Sequence, residues 1–172
     1  MKYVVGLLMA VAMLSACKKK TTDDGCSASP GTTVVSAAEE AMVTKYLDSM
    51  AITTAVELEG SGMYYIIDNP GNTERAKQCS NITVEYKGYY RNGQVFDQTN
   101  GTATNFGGYP LSTLYEGWRR AIPLIGEGGE MRLFIPPTMA AGAAGQYNPN
   151  TGLYTIPPNA VMIFEVQLEA IN

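Results

Sequence analysis

Three cysteines and one missing residue type frame the chemistry open to this 172-residue chain. It contains Cys17, Cys26 and Cys79, and no histidine. Nucleophilic triads, acid–base dyads and zinc sites that depend on imidazole are therefore excluded. The cysteines are too scattered to form a zinc site of their own, and no cofactor is expected. Cys17 closes the run Leu14-Ser15-Ala16-Cys17, with small residues directly behind an apolar stretch. Cys26 and Cys79 leave two readings open: a disulfide, which would persist in an oxidising compartment, or two separate thiols. A formal net charge of −4 supplies no basic stripe to neutralise phosphates, so nucleic acid is not an expected partner.

The first seventeen residues read as an address. Lys2 gives a positive start, and Val4 to Leu14 is an apolar run. At about 1.5 Å per helical residue this run is too short for a hydrocarbon core of about 30 Å, and it fits the core of a signal peptide. Leu14 to Cys17 resembles a bacterial lipobox. In that case the Cys17 thiol receives diacylglycerol, and cleavage makes Cys17 the new amino terminus, which is acylated in turn. Two or three acyl chains hold a protein at a membrane where one is marginal. The expectation is a lipid-anchored protein of the bacterial cell envelope, with the membrane as partner through Cys17. The absence of Asp at position 18 favours the outer membrane under the enterobacterial sorting rule.

Residues 18–35 are Lys, Thr, Asp, Gly, Ser and Pro with little to bury, the composition of a flexible tether. Residues 36–80 form an amino-terminal extension. Ser36 and Glu39 fit a capping box, and Ala38, Met42, Tyr46, Leu47 and Met50 recur at helical spacing, predicting a helix from Ser36 to Met50. Met63 to Ile67 reads as a strand, ended by the turn signal Asp68-Asn69-Pro70-Gly71. Residues 81–172 form the main domain. Ile82, Val84 and Tyr86 alternate with polar residues, and Asn92-Gly93 is a type I′ hairpin signal. Leu111 to Ala121 predicts a short helix, with Leu114, Trp118 and Ile122 on one face. Met131, Leu133 and Ile135 alternate in one strand, and Met162, Phe164, Val166 and Leu168 in the last. A long loop from Pro136 to Asn159 separates these two strands. Antiparallel strands with a short helix over one sheet face make an α+β domain.

Several motifs occur in one order: Val84-Glu85-Tyr86-Lys87-Gly88, Asn92-Gly93-Gln94-Val95-Phe96-Asp97, Gly117-Trp118, Gly126-Glu127-Gly128-Gly129-Glu130, Ile135-Pro136, Gly142-Ala143-Ala144-Gly145, Ile156-Pro157-Pro158-Asn159 and Ile163-Phe164-Glu165-Val166. Collinear over about ninety residues, they resemble the FKBP-type peptidyl-prolyl cis-trans isomerases. The helix and strand before them resemble the amino-terminal extension of many bacterial members. The resemblance implies a half-wrapped antiparallel sheet packed on a short helix, with an aromatic pocket between them. It places Trp118 at the floor, Tyr86, Phe96 and Phe164 in the walls, and Asp97 at the polar edge, bonded to the Tyr86 hydroxyl. Leu114, Tyr115 and Ile156 line the rim, with the Ile156 N–H offered to a substrate carbonyl. The implied activity is isomerisation of proline-containing polypeptides during folding of exported proteins, with no metal and no cofactor.

Two departures from the family pattern favour an alternative. Many members carry a tyrosine where this chain has Ala141, and its hydroxyl donates to the substrate carbonyl. An arginine that often pairs with the carboxylate at the position of Asp97 is also absent. The alternative is a peptide-binding or chaperone lipoprotein that uses the same pocket without catalysis. Tyr147 or Tyr154, on a segment longer than usual, are candidates to replace the lost hydroxyl. Whether the helix from Ser36 to Met50 drives dimerisation is left open.

Overall fold

The computed structural model of the chain describes residues 26–105 and 110–172; the expected leader, Cys17 and residues 18–25 of the tether lie outside the described residues. One antiparallel sheet carries the fold. Its order is β1 (Val56–Glu57), β2 (Tyr64–Asn69), β6 (Gly129–Ile135), β9 (Met162–Ile171), β3 (Ile82–Tyr90) and β4 (Val95–Gln98), and β5 (Thr104–Asn105) also pairs with β3. Side chains alternate across a strand, and β6 and β9 use both faces. Met131, Leu133 and Ile135 join Met162, Phe164, Val166 and Leu168 in one buried cluster with Trp118 and Ala121 of α2 (Glu116–Ala121). The residues between them, Phe134 and Ile163, belong to a second cluster on the other face.

That second cluster is where the structure departs from a sheet covered by one helix. The helix α1 (Ala37–Ser49) lies on the outer face and buries Val43, Tyr46 and Leu47 against Phe134, Ile66 and Ile163. Its inward stripe is therefore 43, 46 and 47, an i, i+3, i+4 set. Tyr46 and Leu47 were expected there, and Met42, also expected, packs partly buried against the same cluster, whereas Ala38 is exposed and Met50 is 57% exposed. The buried stripe of α1 is used against its own sheet. The capping box is half formed. Ser36 Oγ accepts from the Glu39 N–H at 3.3 Å, while the Glu39 carboxylate accepts from Thr138 Oγ1 at 2.8 Å and does not turn back. Beyond α1 the outer face is charged, with Arg132 forked onto Asp68 at 2.8 and 2.9 Å.

Three further expectations are corrected. Asn92 keeps a negative φ while Gly93 takes φ +82°, so a type I′ turn is not formed. The Gly93 N–H donates to Tyr90 O at 2.8 Å and the Tyr90 N–H to Gln94 O at 3.0 Å. This is a three-residue loop closed by a left-handed glycine. The helix expected over Leu111 to Ala121 is broken in two, a tight turn at Leu111–Thr113 and α2, with Leu114 and Tyr115 extended between them. The Leu111 and Ser112 N–H groups donate to Ser80 O and Gln78 O, which ties the first turn to the segment before it, and the Leu114 N–H closes that turn on Leu111 O. The long loop holds a turn at Pro137–Met139 and a hairpin of β7 (Gln146–Asn148) and β8 (Leu153–Ile156).

Residues 26–35, expected to belong to a flexible tether, lie on the domain as a strap. Cys26 and Cys79 form a disulfide, which resolves the open question about those thiols. Glu116 accepts from the Thr33 N–H at 2.9 Å and from Thr33 Oγ1 at 2.8 Å, Arg120 Nη1 donates to Thr33 O at 2.8 Å, and the Val35 N–H donates to Ser61 O. Composition could not reveal this, because the strap is held mainly by hydrogen bonds and one bridge, with Val35 packed against the core but no repeating apolar face. The bridge spans a sequence separation of 53, for which loop-closure entropy gives up to about 4 kcal/mol. Guanidinium unfolding of Cys26→Ser/Cys79→Ser should therefore show a clearly lower midpoint than the oxidised parent. Equal midpoints would mean that the bridge constrains nothing.

Candidate active site

The site begins with an irregularity in β4. Val95 pairs with Tyr89 and Asp97 with Gly88, which leaves Phe96 as an extra residue, a β-bulge. A regular strand sends consecutive residues to opposite faces; a bulge re-aims them. Here both Phe96 and Asp97 reach one cavity. Opposite them, Gly88 on β3 leaves room: a Cβ there would lie 2.6 Å from Phe96 Cζ and 2.9 Å from Phe164 Cε1. Gly117 does the same for α2, since a Cβ would stand 2.7 Å from the Ile135 side chain. The helix therefore settles close onto β6, with Trp118 pointing into the sheet.

Around these two close approaches the rings assemble edge to face. Trp118 and Phe164 centroids are 5.2 Å apart at 88°, Phe96 and Phe164 5.5 Å at 89°, and Tyr86 and Trp118 5.7 Å at 89°. This geometry sets the positive edge of one ring against the negative face of the next. Trp118 and Phe164 are 4% and 3% exposed, whereas Tyr86 and Phe96 are half-buried and face the opening. The extended Leu114 and Tyr115 and the buried Ile156 complete a cavity of about 510 Å³. All eight site residues named from the sequence line it. Thr113, Gln146, Thr155 and Met162 also line it and were not foreseen. Isolated polar residues outside any apolar period gave no signal, and Met162 reads simply as core.

The polar edge is built on Tyr86. Its hydroxyl donates to Asp97 Oδ2 at 2.6 Å, the bond the resemblance implied. Burial first, then the hydrogen bond to Asp97 and its negative charge, raise the Tyr86 hydroxyl above the usual tyrosine value of 10.0, which keeps it a protonated donor. Burial also raises Tyr115, whose hydroxyl accepts from Gln146 Nε2 at 2.6 Å. Neither Tyr147 nor Tyr154 lines the cavity. Their rings pack on each other at 5.3 Å, both more than half exposed, so neither replaces a hydroxyl at Ala141. The hydroxyls that belong to residues of the cavity wall are those of Tyr86, Tyr115, Thr113 and Thr155.

A family model described as FKBP-type peptidyl-prolyl cis-trans isomerase matches residues 72–169. The chain belongs to this family. It is 31% identical over 131 residues to the FKBP-type peptidyl-prolyl cis-trans isomerase FkpA of Escherichia coli K12, covering 75% of this chain and 45% of that protein. To the probable FkpA of Neisseria meningitidis serogroup B it is 33% identical over 129 residues, covering 74% and 44%. The chain thus spans less than half the length of these relatives. Among solved structures, E. coli FkpA matches with a TM-score of 0.64 at 30% identity, over 79% of this chain and 60% of that one. A peptidyl-prolyl cis-trans isomerase from Pseudomonas syringae pv. tomato matches with a TM-score of 0.64 at 25% identity, over 83% and 99%. The antiparallel sheet with its short helix is the FKBP fold. Asp97 has no ion-pair partner among the described residues, and Tyr86 supplies its hydrogen bond instead.

The Tyr86–Asp97 pair gives a titration test. Protonated Tyr86 is the form the fold holds, so its contribution to stability is complete below pH 10 and is lost as pH climbs through the raised value. Asp97→Asn removes the charge but not the burial. The Tyr86 hydroxyl, followed by carbon-13 NMR of the ring, should then titrate lower than in the parent but still above free tyrosine. An unchanged midpoint would show that Asp97 does not act on it.

Proposed function

We propose that the chain is a peptidyl-prolyl cis-trans isomerase that assists the folding of exported proteins. The observation that carries this reading is the set of four rings, Tyr86, Phe96, Trp118 and Phe164, converging on a cavity able to take a prolyl ring. Rotation about an X-Pro bond crosses a barrier of about 18–20 kcal/mol because the twisted amide loses resonance. No bond to the backbone is broken, so no nucleophile, base or metal is needed. The twisted amide carries less charge separation than the planar one. A water-poor aromatic wall therefore favours the twisted form, which is differential binding of the transition state. Trp118 and Phe164 hold the prolyl ring, Tyr86 and Phe96 flank it, and the Tyr86–Asp97 pair stands at the edge. Leu114, Tyr115 and Ile156 guide the flanking backbone, with the Ile156 N–H meeting a carbonyl.

Ala141 favours a second reading, peptide capture without catalysis. It sits partly buried against the core and offers no hydroxyl. One neutral hydrogen bond contributes about 0.5–1.5 kcal/mol, which slows turnover but does not remove it. Isomerisation of an Xaa-Pro peptide decides between the readings. The parent should accelerate exchange, Phe96→Ala and Trp118→Leu should each lower kcat/KM at least tenfold, roughly 1.4 kcal/mol of barrier, and Ala141→Tyr should raise it about threefold. Peptide binding without acceleration would leave capture as the function. The chain has no histidine, so kcat/KM should stay flat from pH 6 to 9; a bell-shaped profile in that range would mean that a titrating group takes part.

The site of action follows from the leader. We place the protein in the bacterial envelope, anchored to a membrane through acylated Cys17, with the Cys26–Cys79 disulfide in keeping with an oxidising compartment. Cys17→Ser should abolish labelling by radioactive palmitate and move the protein from the membrane fraction to the soluble one. Retention in the membrane without Cys17 would defeat the anchor.

A further inference from the structure

A second hollow of about 550 Å³ adjoins the aromatic cavity, and Phe96 and Thr155 line both. Tyr90 joins those two residues into one partition. Its ring lies 4.8 Å from that of Phe96, and its hydroxyl donates to Thr155 O at 3.1 Å. The consecutive residues of β8 lead from one hollow to the other: Tyr154 and Thr155 line the second, Thr155 and Ile156 the first. The second hollow mixes the polar Arg91, Asn92, Gln94 and Asn159 with apolar side chains that the fold leaves in water. Val95 is 41% and Tyr154 52% exposed, and Tyr147 and Leu153 on the same hairpin extend the exposed apolar area. A concentration of exposed apolar side chains beside a binding cavity marks an interaction surface. Arg91 is its one charged lining residue and has no ion-pair partner among the described residues.

We propose that this hollow is a secondary subsite for substrate. It takes an apolar side chain of an extended, unfolded polypeptide whose proline occupies the aromatic cavity. The proposal rests on the reading of that cavity as the prolyl site. It makes the protein selective for proline within apolar sequence, the kind of segment an unfolded client exposes and a folded one buries. The occupant is a polypeptide and not a small molecule, because the two hollows are joined along a strand and each is open to solvent. Arg91 adds a preference for an acidic residue near the apolar one.

The test uses the whole chain carrying Cys17→Ser, compared with the same chain carrying Val95→Ser and Tyr154→Ser. Neither position lines the aromatic cavity, and both are exposed, so the fold is retained, as a matching thermal midpoint would verify. Two decapeptides share an Ala-Leu-Pro-Phe core, one flanked by leucines and one by serines. Without the double substitution, the leucine-flanked peptide should turn over with a kcat/KM about tenfold above the serine-flanked one, as expected for partial burial of one side chain. The double variant should lose that ratio and keep its rate on the serine-flanked peptide. Equal rates on the two peptides, or a ratio that survives in the variant, would overturn the subsite. If neither peptide is turned over at all, the isomerase reading fails instead. Fluorescence-detected binding of the same peptides then decides the subsite alone: a tenfold preference for leucine lost in the variant supports it, and equal binding overturns it. Concentration-dependent dimerisation abolished by the variant, with no peptide preference, would assign the hollow to a second copy and also overturn it.

Discussion

The edge-on contact of Phe164 with Trp118 is the constraint on which the site depends, because it joins the sheet to the helix inside a single ring diameter. Two positions without a side chain make it possible. Gly117 lets α2 approach β6 until only the Ile135 side chain separates them, and Gly88 lets the Phe96 and Phe164 rings share the space over β3. A methyl at either would have to displace a packed side chain, and cores resist that. At Gly117 the displacement would lift Trp118 from its floor. At Gly88 it would part the two walls. The cavity is thus defined by two absent methyl groups as much as by four rings.

A helix of six residues such as α2 is too short to hold itself in water, so its position must come from outside. The inner side is fixed by burial of Trp118 and Ala121. The outer side is fixed by the strap through Glu116 and Arg120, both of whose side chains are largely buried. Partly buried charges cost desolvation, and their contribution is to specify one arrangement more than to add stability. Glu116 satisfies a backbone N–H and a hydroxyl of Thr33, and Arg120 takes its carbonyl, so the strap and helix lock in one register. The segment that follows the expected anchor therefore ends against the helix that carries the pocket floor.

How much of this could be read from the sequence depended on whether a feature was local. The alternation in β6 and β9 was visible because one face of each strand is continuously apolar, and period 2 is a strong signal. The Asn92-Gly93 turn was visible as a turn but not as its type, since the loop closes over three residues between Tyr90 and Gln94 and only Gly93 takes a positive φ. The face of α1 was read correctly at Met42, Tyr46 and Leu47, but Val43 was missed and Ala38 and Met50 misplaced, because Phe134 and Ile163, which the helix covers, lie far away in the chain. The strap is held by hydrogen bonds to Glu116, Arg120 and Ser61 and by the disulfide, and neither it, the extended Leu114 nor the β7–β8 hairpin carries an apolar period to betray it. The ring set was legible only through the collinear motifs. Spacing alone does not distinguish a cavity wall from core, and here Phe164 is both.

The missing hydroxyl at Ala141 bears on function less than it first suggests, because of how the barrier is distributed. A thousandfold acceleration asks for only about 4 kcal/mol of preference for the twisted amide over the planar one. One hydrogen bond to a carbonyl present in both forms contributes only the difference between its strengths in the two, less than its full 0.5–1.5 kcal/mol. On the proposed reading the rest comes from the rings and from the water they exclude at the floor: Trp118 and Phe164 are almost wholly buried, with the half-buried Tyr86 and Phe96 at the opening. A pure capture site would need the opposite design, with donors matched to the planar amide. Such donors would deepen the ground state as much as the transition state and gain nothing in rate. The predominance of rings over hydrogen-bond donors in this cavity is therefore the feature that favours turnover over capture.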